Sequence, residues 1–544
     1  MAVINFISTF PPIMCGIGTY TSYLANKMPA EDWRVTSFRL DELLTTDHTC
    51  KFNNSVSYQI SLSHPHLPPS LEGELLWFEH AFGMWGRESP AFLQLVKEAK
   101  EKKKKVIASF HSIHFESDET VSGMWRKEEN LLNNVLPWLD ATTVFTDGAY
   151  RALSRAFPQY KDKIVVLRHG VHLHPQVSQE QAKERLLGYL INQANISFDQ
   201  KQELKERYPQ FFSPETILLG NFGFITGDKD PLRLYQLGQL LQDRIPERRV
   251  IALYIGRIQK RKDKKIEESL PILADLRSIH DGGANLFFED YLPESIFPYA
   301  FRALDFSIFW SHNATQSGRM AHAQGTGTCV VGRRIEGIGE TLDLAGLPSA
   351  VSLEDLAEKI GRLMGEPGLK KEAEKSSQHY AQEYSFEKQA KKHLLLEQMV
   401  RSGGELPVID RTKPNITFIL PRLALGKRDG LEEPPREVTA FLNVADDVDL
   451  YPPPGKYHKI PLQDGVPIPL EKMKEAISWI KRNISSHKVT VFCRYGKGRS
   501  ASVIIAYLCS IGFDYQEAVE LVASQCPGIN PLPGLAQTIR MALQ

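Results

Sequence analysis

The chain carries no excess of charge: 65 Lys plus Arg balance 65 Asp plus Glu over 544 residues, so no net field draws it to nucleic acid or to an anionic membrane surface, and any anion site must be local. It also lacks long apolar runs. No stretch approaches the length that spans a bilayer, and the opening MAVINFISTF has neither the basic segment nor the small-residue cleavage site of a secretory signal. Cysteine is scarce and scattered, at positions 15, 50, 329, 493, 509 and 526, without the paired spacing of a disulfide framework or a zinc site. There is no internal repeat. These absences predict a cytoplasmic protein with reduced thiols, no nucleic-acid partner, no membrane span and no metal or other cofactor, and they leave the oligomeric state open.

What is present is concentrated in Val489–Ser500, VTVFCRYGKGRS. A β-rich run delivers Cys493 into a loop containing Gly496 and Gly498, which closes on Arg499 and enters an apolar helix. Backbone N–H groups of such a loop (Arg494, Tyr495, Gly496, Lys497, Gly498) can point inward at three phosphate oxygens. The helix adds its positive end and Arg499 a bidentate grip. The same field favours a thiolate at Cys493, able to attack phosphorus. Arg494 and Lys497 add two further cations, which suits a compact, highly charged phosphomonoester.

The length exceeds what one core organises. From residue 1 to about 170, apolar runs such as VINFIS, GELLWFEH, KVIASFH, DATTVFT and DKIVVLRHG alternate with amphipathic stretches, the pattern of a parallel sheet covered on both faces. A helical connection follows. The alternation then restarts with ETILLGNFGF, RRVIALYIG, ANLFFED, LDFSIFW and TCVVG, and residues 353–400 read as helical. RSGGELPVIDRTKPN supplies linker chemistry. The expected organisation is α/β throughout: residues 1–175 and 176–400 as two domains, 401–413 as linker, 414–544 as a smaller α/β domain. The runs EKKKK (101–105) and KRKDKK (260–265) read as solvated helix ends.

Residues 414–544 resemble the dual-specificity phosphatase family through the cysteine loop, FLNVADD (441–447), YHKIPLQDG (457–465), SASVIIAYL and CPGINPLPG. The resemblance implies Cys493 as nucleophile, Arg499 as the phosphoryl-binding residue, Asp464 as the acid that protonates the leaving group, and Ser500 as an aid to thiolate departure. Asp446, Asp447 and Asp449 are competing carboxylates in a nearby loop. Phe492 stands where the family usually has histidine.

Residues 1–400 resemble the retaining, family-four group of GT-B glycosyltransferases, built from two Rossmann-like domains. The resemblance rests on STFPPIMCGIGTYTSYL, FEHAFGMWG (78–86), SFHSIH (109–114), RHGV (168–171), GNFGFITGDKDP (220–231), ATQSGRMAHAQGTGTCVVG (314–332) and EGIGE. It implies a cleft lined by Gly16, Gly18, His80, His111, Ser112 and His169, with His111 foremost. On the donor side it implies Gly223, Lys229, Gln316, Ser317, Gly318 and Glu340. Phe224 takes the family's arginine position, and Ala314 and His322 take those of its paired glutamates. The implied partners are a nucleotide-sugar donor and a small phosphorylated acceptor, used without a metal. The expected function is therefore sugar transfer followed by dephosphorylation on one chain. The alternative is a nucleotide-sugar sensor carrying a phosphatase.

Overall fold

The computed structural model describes residues 4–43, 45, 55–85, 90–258, 265–411, 416–431, 438–450, 455–526 and 528–543. Cys50, Gly86, residues 260–264 of the basic run, residues 412–415 of the expected linker and Pro527 lie outside them. The chain divides into two compact units, residues 1–411 and 412–544.

The first unit contains two parallel sheets. β1 (Ile4–Ile7), β2 (Trp33–Phe38), β3 (Val56–Ile60), β4 (Leu75–His80), β5 (Lys105–Phe110), β6 (Ala141–Val144) and β7 (Ile164–Val166) lie in the order β3-β2-β1-β4-β5-β6-β7. β8 (Thr216–Phe222), β9 (Arg249–Ile255), β10 (Asn285–Phe288), β11 (Phe306–Phe309), β12 (Cys329–Arg333) and β13 (Ser349–Ala350) follow in the order β10-β9-β8-β11-β12-β13. Central strands such as β1, β4 and β8 are buried at every residue, which is why they read as predominantly apolar runs and not as alternating ones. Strand order reverses between β1 and β4 and again between β8 and β11, and in open sheets of this kind ligands bind at such switch points, beyond the carboxyl ends of the strands.

The chain crosses between the two sheets twice, and the crossings are paired: Val171 N donates to Tyr384 O (2.9 Å) and Phe386 N to Val171 O (3.1 Å). The helix Phe386–Ser402 then packs Phe386, Ala390, Leu396 and Val400 into the core around Ile4, Phe6 and Trp77. Residues expected in the linker continue this packing. Leu406 and Ile409 cover the same core, and Asp410 N bonds Val166 O (3.1 Å). The Asp410 carboxylate accepts from Arg168 N (2.8 Å), Gln389 Nε2 (2.9 Å) and Lys392 Nζ (2.5 Å).

The second unit is one five-stranded sheet, ordered β14 (Ile416–Leu420), β15 (Leu423–Lys427), β18 (Lys488–Cys493), β16 (Val438–Ala445), β17 (Lys456–Leu462). Among the described residues of this sheet, only the β14–β15 hairpin is antiparallel. β18 lies at the centre, between β15 and β16, so the residue at its end is delivered from the most firmly held strand of the sheet. Helix Arg499–Ser510 follows it, buried at every residue from Arg499 to Leu508.

Candidate active sites

The second unit builds a phosphate cradle at the end of β18. Cys493 is buried, and its Sγ lies 3.1 Å from Ser500 Oγ, a hydroxyl placed to donate to a thiolate. The loop turns at Gly496, where φ is +69°, and a Cβ there would meet Lys427 Cγ at 2.9 Å and Gly426 O at 3.1 Å. Only glycine suits both the dihedral and the space. The downstream turn holds the loop from the other side: Asn530 N donates to Lys497 O (2.9 Å) and Leu532 N to Ser502 Oγ (2.8 Å). The helix begins at Arg499 with Gly498 as its cap and no side chain bonding its first N–H groups. Those donors and the helix dipole face the loop. Arg494 is half-buried, while Tyr495 and Lys497 are exposed, so the loop's side chains turn outward as its backbone encloses the cradle.

Arg499 is 1 % exposed and is the electrostatic centre of this site. Its Nη1 donates to Asp446 Oδ1 (2.7 Å), Asp447 Oδ1 (2.6 Å) and Leu462 O (3.3 Å). Its Nε is buried without a hydrogen bond, 3.9 Å from Asp464 Oδ1. Burial works against the guanidinium's charge, and Asp447, Cys493 and Asp464 outweigh it, so the group titrates above its ordinary value. Burial likewise opposes the charge on Asp447, but Arg499 and then Arg494, 3.0 Å away, hold its carboxyl below the usual range. Of the competing acids, Asp446 and Asp447 are engaged on Arg499, and Asp449 pairs with Lys459 (2.5 Å). Asp464 is exposed, with Oδ1 3.3 Å from where a Cβ on Gly498 would stand, so it leans over the loop mouth. Phe492, fully buried, packs in the core of this unit, where the histidine of the family pattern would bring a polar ring.

In the first unit, the loop after β1 leads into helix Gly16–Ala25, whose first turn has no side-chain cap. A Cβ on Gly18 would press on Thr9 and Phe10 backbone at 3.0 Å, so close packing requires that glycine. Gly16 is exposed with open space around it, and the fold places no steric demand on it. Tyr20, one turn on, was not singled out from sequence, yet its ring lies 4.9 Å from both His111 and His169 and brings those two together. His111 Nε2 lies 2.6 Å from Glu79 Oε2. Burial pushes Glu79 well up and His111 down to about 3, so the apolar surroundings work against charge on both members of this pair. His169, lowered to about 4 by burial, bonds Gly170 O (2.8 Å). Ser112, half-buried, follows His111 at the strand end. His80 is a correction. Its ring is 1 % exposed among Phe82, Phe92 and Phe110, so the residue that the family resemblance placed in the cleft is packed into the core.

On the donor side, Thr315 Oγ1 donates to His111 O (2.9 Å), which ties the stretch Gln316, Ser317, Gly318 to the first sheet's histidine. Ser317 caps helix Gly318–Gly325 by accepting from Met320 N (3.3 Å). Gly223, at φ +122°, would place a Cβ 2.8 Å from Arg319 Cδ. Arg319, missed in the sequence, donates through Nη1 to Asn221 Oδ1 (3.0 Å) and Phe222 O (2.7 Å) and pairs with no carboxylate among the described residues. It sits beside the loop whose own arginine position is Phe224. Lys229 Nζ bonds Phe224 O (3.1 Å) over that ring.

Glu340 is the second correction. Its two oxygens accept from Asp147 N (2.7 Å) and Gly148 N (2.9 Å), the first turn of helix Asp147–Ala156, and its carboxylate pairs with Arg168, which also binds Asp147 Oδ2 (2.5 Å). It is a clamp between the two halves of the unit, with both oxygens engaged by protein donors. Glu336 repeats the device, accepting from Phe115 N (3.0 Å) and Glu116 N (3.3 Å). A helix N-terminal carboxylate is a common sequence pattern; that the helix lies in the other half of the unit is a long-range fact no local pattern records.

Residues 435–542 match the family model for the dual specificity phosphatase catalytic domain. The search of curated proteins finds no match to the sequence. The first unit has the fold of the GT-B glycosyltransferases. It is similar in structure to an α,α-trehalose-phosphate synthase (UDP-forming) from Burkholderia xenovorans in complex with glucose-6-phosphate. That match has a TM-score of 0.54 at 10 % identity and covers 73 % of this chain and 100 % of that one. The N-terminal domain of Candida albicans trehalose-6-phosphate phosphatase is also similar, with a TM-score of 0.51 at 10 % identity, covering 74 % of this chain and 97 % of that one. The chain thus joins a glycosyltransferase-like fold to a dual-specificity phosphatase domain. Among the described residues, no helix is long and apolar enough to cross a membrane.

Proposed function

We propose that the first unit transfers a sugar from a nucleotide-sugar donor to a small phosphorylated acceptor, with retention at the sugar carbon, and that the second unit then removes the phosphate. The observation that carries this reading is the pairing, on one chain, of an uncompensated guanidinium, Arg319, at a switch point suited to a diphosphate, with a cysteine cradle suited to a phosphomonoester. The glucose-6-phosphate bound by the Burkholderia xenovorans synthase supports a sugar phosphate as acceptor. In the first step Arg319, Lys229 and the start of helix Gly318–Gly325 offset charge on the departing diphosphate, while Gln316 and the buried Glu79–His111 pair orient the sugar. In the second step Cys493 attacks phosphorus, Arg499 and loop N–H groups hold the equatorial oxygens, and Asp464 protonates the leaving oxygen. Water then cleaves the phosphocysteine with Asp464 as base and Ser500 stabilising the thiolate.

Incubation of the full chain with nucleotide sugars and sugar phosphates tests this. The wild type yields a phosphate-free glycoside, and Cys493→Ser accumulates the phosphorylated one. A phosphorylated product that persists with wild type overturns the coupling. A second reading, a nucleotide-sugar sensor, is favoured by the engagement of Glu340 in the clamp and by Ala314 and His322 at the glutamate positions. Calorimetric binding of a nucleotide sugar without its turnover selects that reading.

A further inference from the structure

Three of the histidines that the chemistry above does not use gather at the first crossing between the two sheets of the first unit. His172 and His174 are separated by one residue just after Val171, and His322 stands on helix Gly318–Gly325. One nitrogen from each ring lies within 4.8 Å of one nitrogen of each of the others. His174 Nε2 and His322 Nδ1 are 3.2 Å apart, with their rings within 15° of parallel. That contact is a hydrogen bond, and its length is close to the roughly 3.3 Å that separates two imidazole nitrogens bound to one tetrahedral ion at about 2.0–2.1 Å. His172 stacks on His322 at 3.7 Å and 13°.

The backbone holds the two elements at that separation. A Cβ on Gly325 would fall 2.0 Å from His172 O and 3.2 Å from His174 Cδ2, and His174 N donates to Gly325 O (3.3 Å). The glycine therefore permits the helix to meet the crossing segment at contact distance. Tyr23 closes one side, edge-on to His172 at 4.4 Å, with its hydroxyl bonded to Glu294.

We propose that His172, His174 and His322 bind one divalent transition-metal ion of the zinc class, with a fourth position open to water or an anion. Three neutral imidazoles leave the ion its full charge. Bound there, it fastens the crossing segment to the helix that begins at Ser317 and stabilises the unit by mass action.

The test uses the full chain in a Cys493→Ser background, so that the cradle thiol contributes nothing. After dialysis against zinc chloride, elemental analysis is expected to give about one ion per chain, and cobalt(II) loading the visible absorption of a tetrahedral, nitrogen-rich site. His174→Ala and His322→Ala are each expected to lose the uptake and the spectrum, as is the conservative pair His172→Asn with His174→Gln. Replacement of exposed His64 with Ala leaves both unchanged. Zinc is also expected to raise the melting temperature of the parent and not of the variants, whose folding is checked by circular dichroism. A parent that dialyses free of metal, or folded variants that keep the ion, overturns the proposal.

Discussion

Arg499 and Arg319 are both guanidinium groups set beside the carboxyl end of a central strand, and the protein treats them in opposite ways. Arg499 has Asp446 and Asp447 in direct contact and Asp464 at 3.9 Å. Arg319 has an amide oxygen and a backbone carbonyl, and the ring of Phe309 at 5.7 Å. The first is matched before any phosphate arrives, so a substrate must compete with two carboxylates. The second is unmatched, so an anion that reaches it gains charge-assisted bonds at no cost in broken ion pairs. A cation held ready among carboxylates favours selectivity and orientation; one left among dipoles favours affinity.

Matched replacements break this comparison most directly. Arg499→Met is expected to reduce kcat/KM on a chromogenic phosphomonoester by about 10³-fold or more and to lower the melting temperature of the second unit, because it leaves three carboxylates crowded together. Equal melting temperatures for variant and wild type would separate Arg499 from those acids. Arg168 supplies a third, fully paired case. Glu340→Gln removes one partner of a buried cation and is expected to cost about 3 kcal/mol, read as an earlier unfolding transition of the first unit in denaturant. Arg319→Met is expected to weaken nucleoside diphosphate binding about 10- to 100-fold, the worth of a charged hydrogen bond, with the melting temperature unchanged; calorimetry decides it. Asp446→Asn with Asp447→Asn is expected to tighten inhibition by inorganic phosphate up to about tenfold, since two competitors for Arg499 lose their charge. Weaker inhibition would make them positioning residues.

The smallest effect concerns Glu336. Burial, opposed by His114 and two backbone donors, raises its carboxyl above the ordinary value. The stability due to the protonated form is complete below the unfolded value of about 4.3 and is lost as pH rises through the raised one. Glu336→Gln, neutral at every pH, is therefore expected to gain in melting temperature over wild type as pH increases from about 4 to about 8. A constant difference across that range would remove the titration from the explanation.

The cradle was readable because its parts are contiguous: Cys493, Gly496, Gly498 and Arg499 sit within seven residues, and the strand before and helix after them are strongly apolar. Alternating apolar runs likewise announced both parallel sheets. The remainder depends on contacts between distant segments. Glu79 meets His111 only because β4 and β5 are neighbours in register, and Arg319 reaches Gly223 from another element altogether. His80 and His111 both end apolar strands in sequence, yet one is enclosed by phenylalanines and the other faces Tyr20 and a carboxyl. The His172, Leu173, His174 alternation was a legible signal, but its third partner lies 148 positions away, beyond any spacing rule. Asp410 shows the same limit at the linker, where composition suggested a loop and three side-chain and backbone donors from the first unit hold it down.

The paired crossings at Val171 and Ser385 make the second sheet of the first unit an insertion whose two ends are neighbours. The core around Ile4 and Trp77, covered in part by Tyr20, Leu24 and Met28, is completed only when Phe386, Leu396 and Val400 have been made. During synthesis the inserted half can therefore close its own core while the earlier half still waits for its last helix, so maturation of the amino-terminal domain follows that of the domain encoded after it.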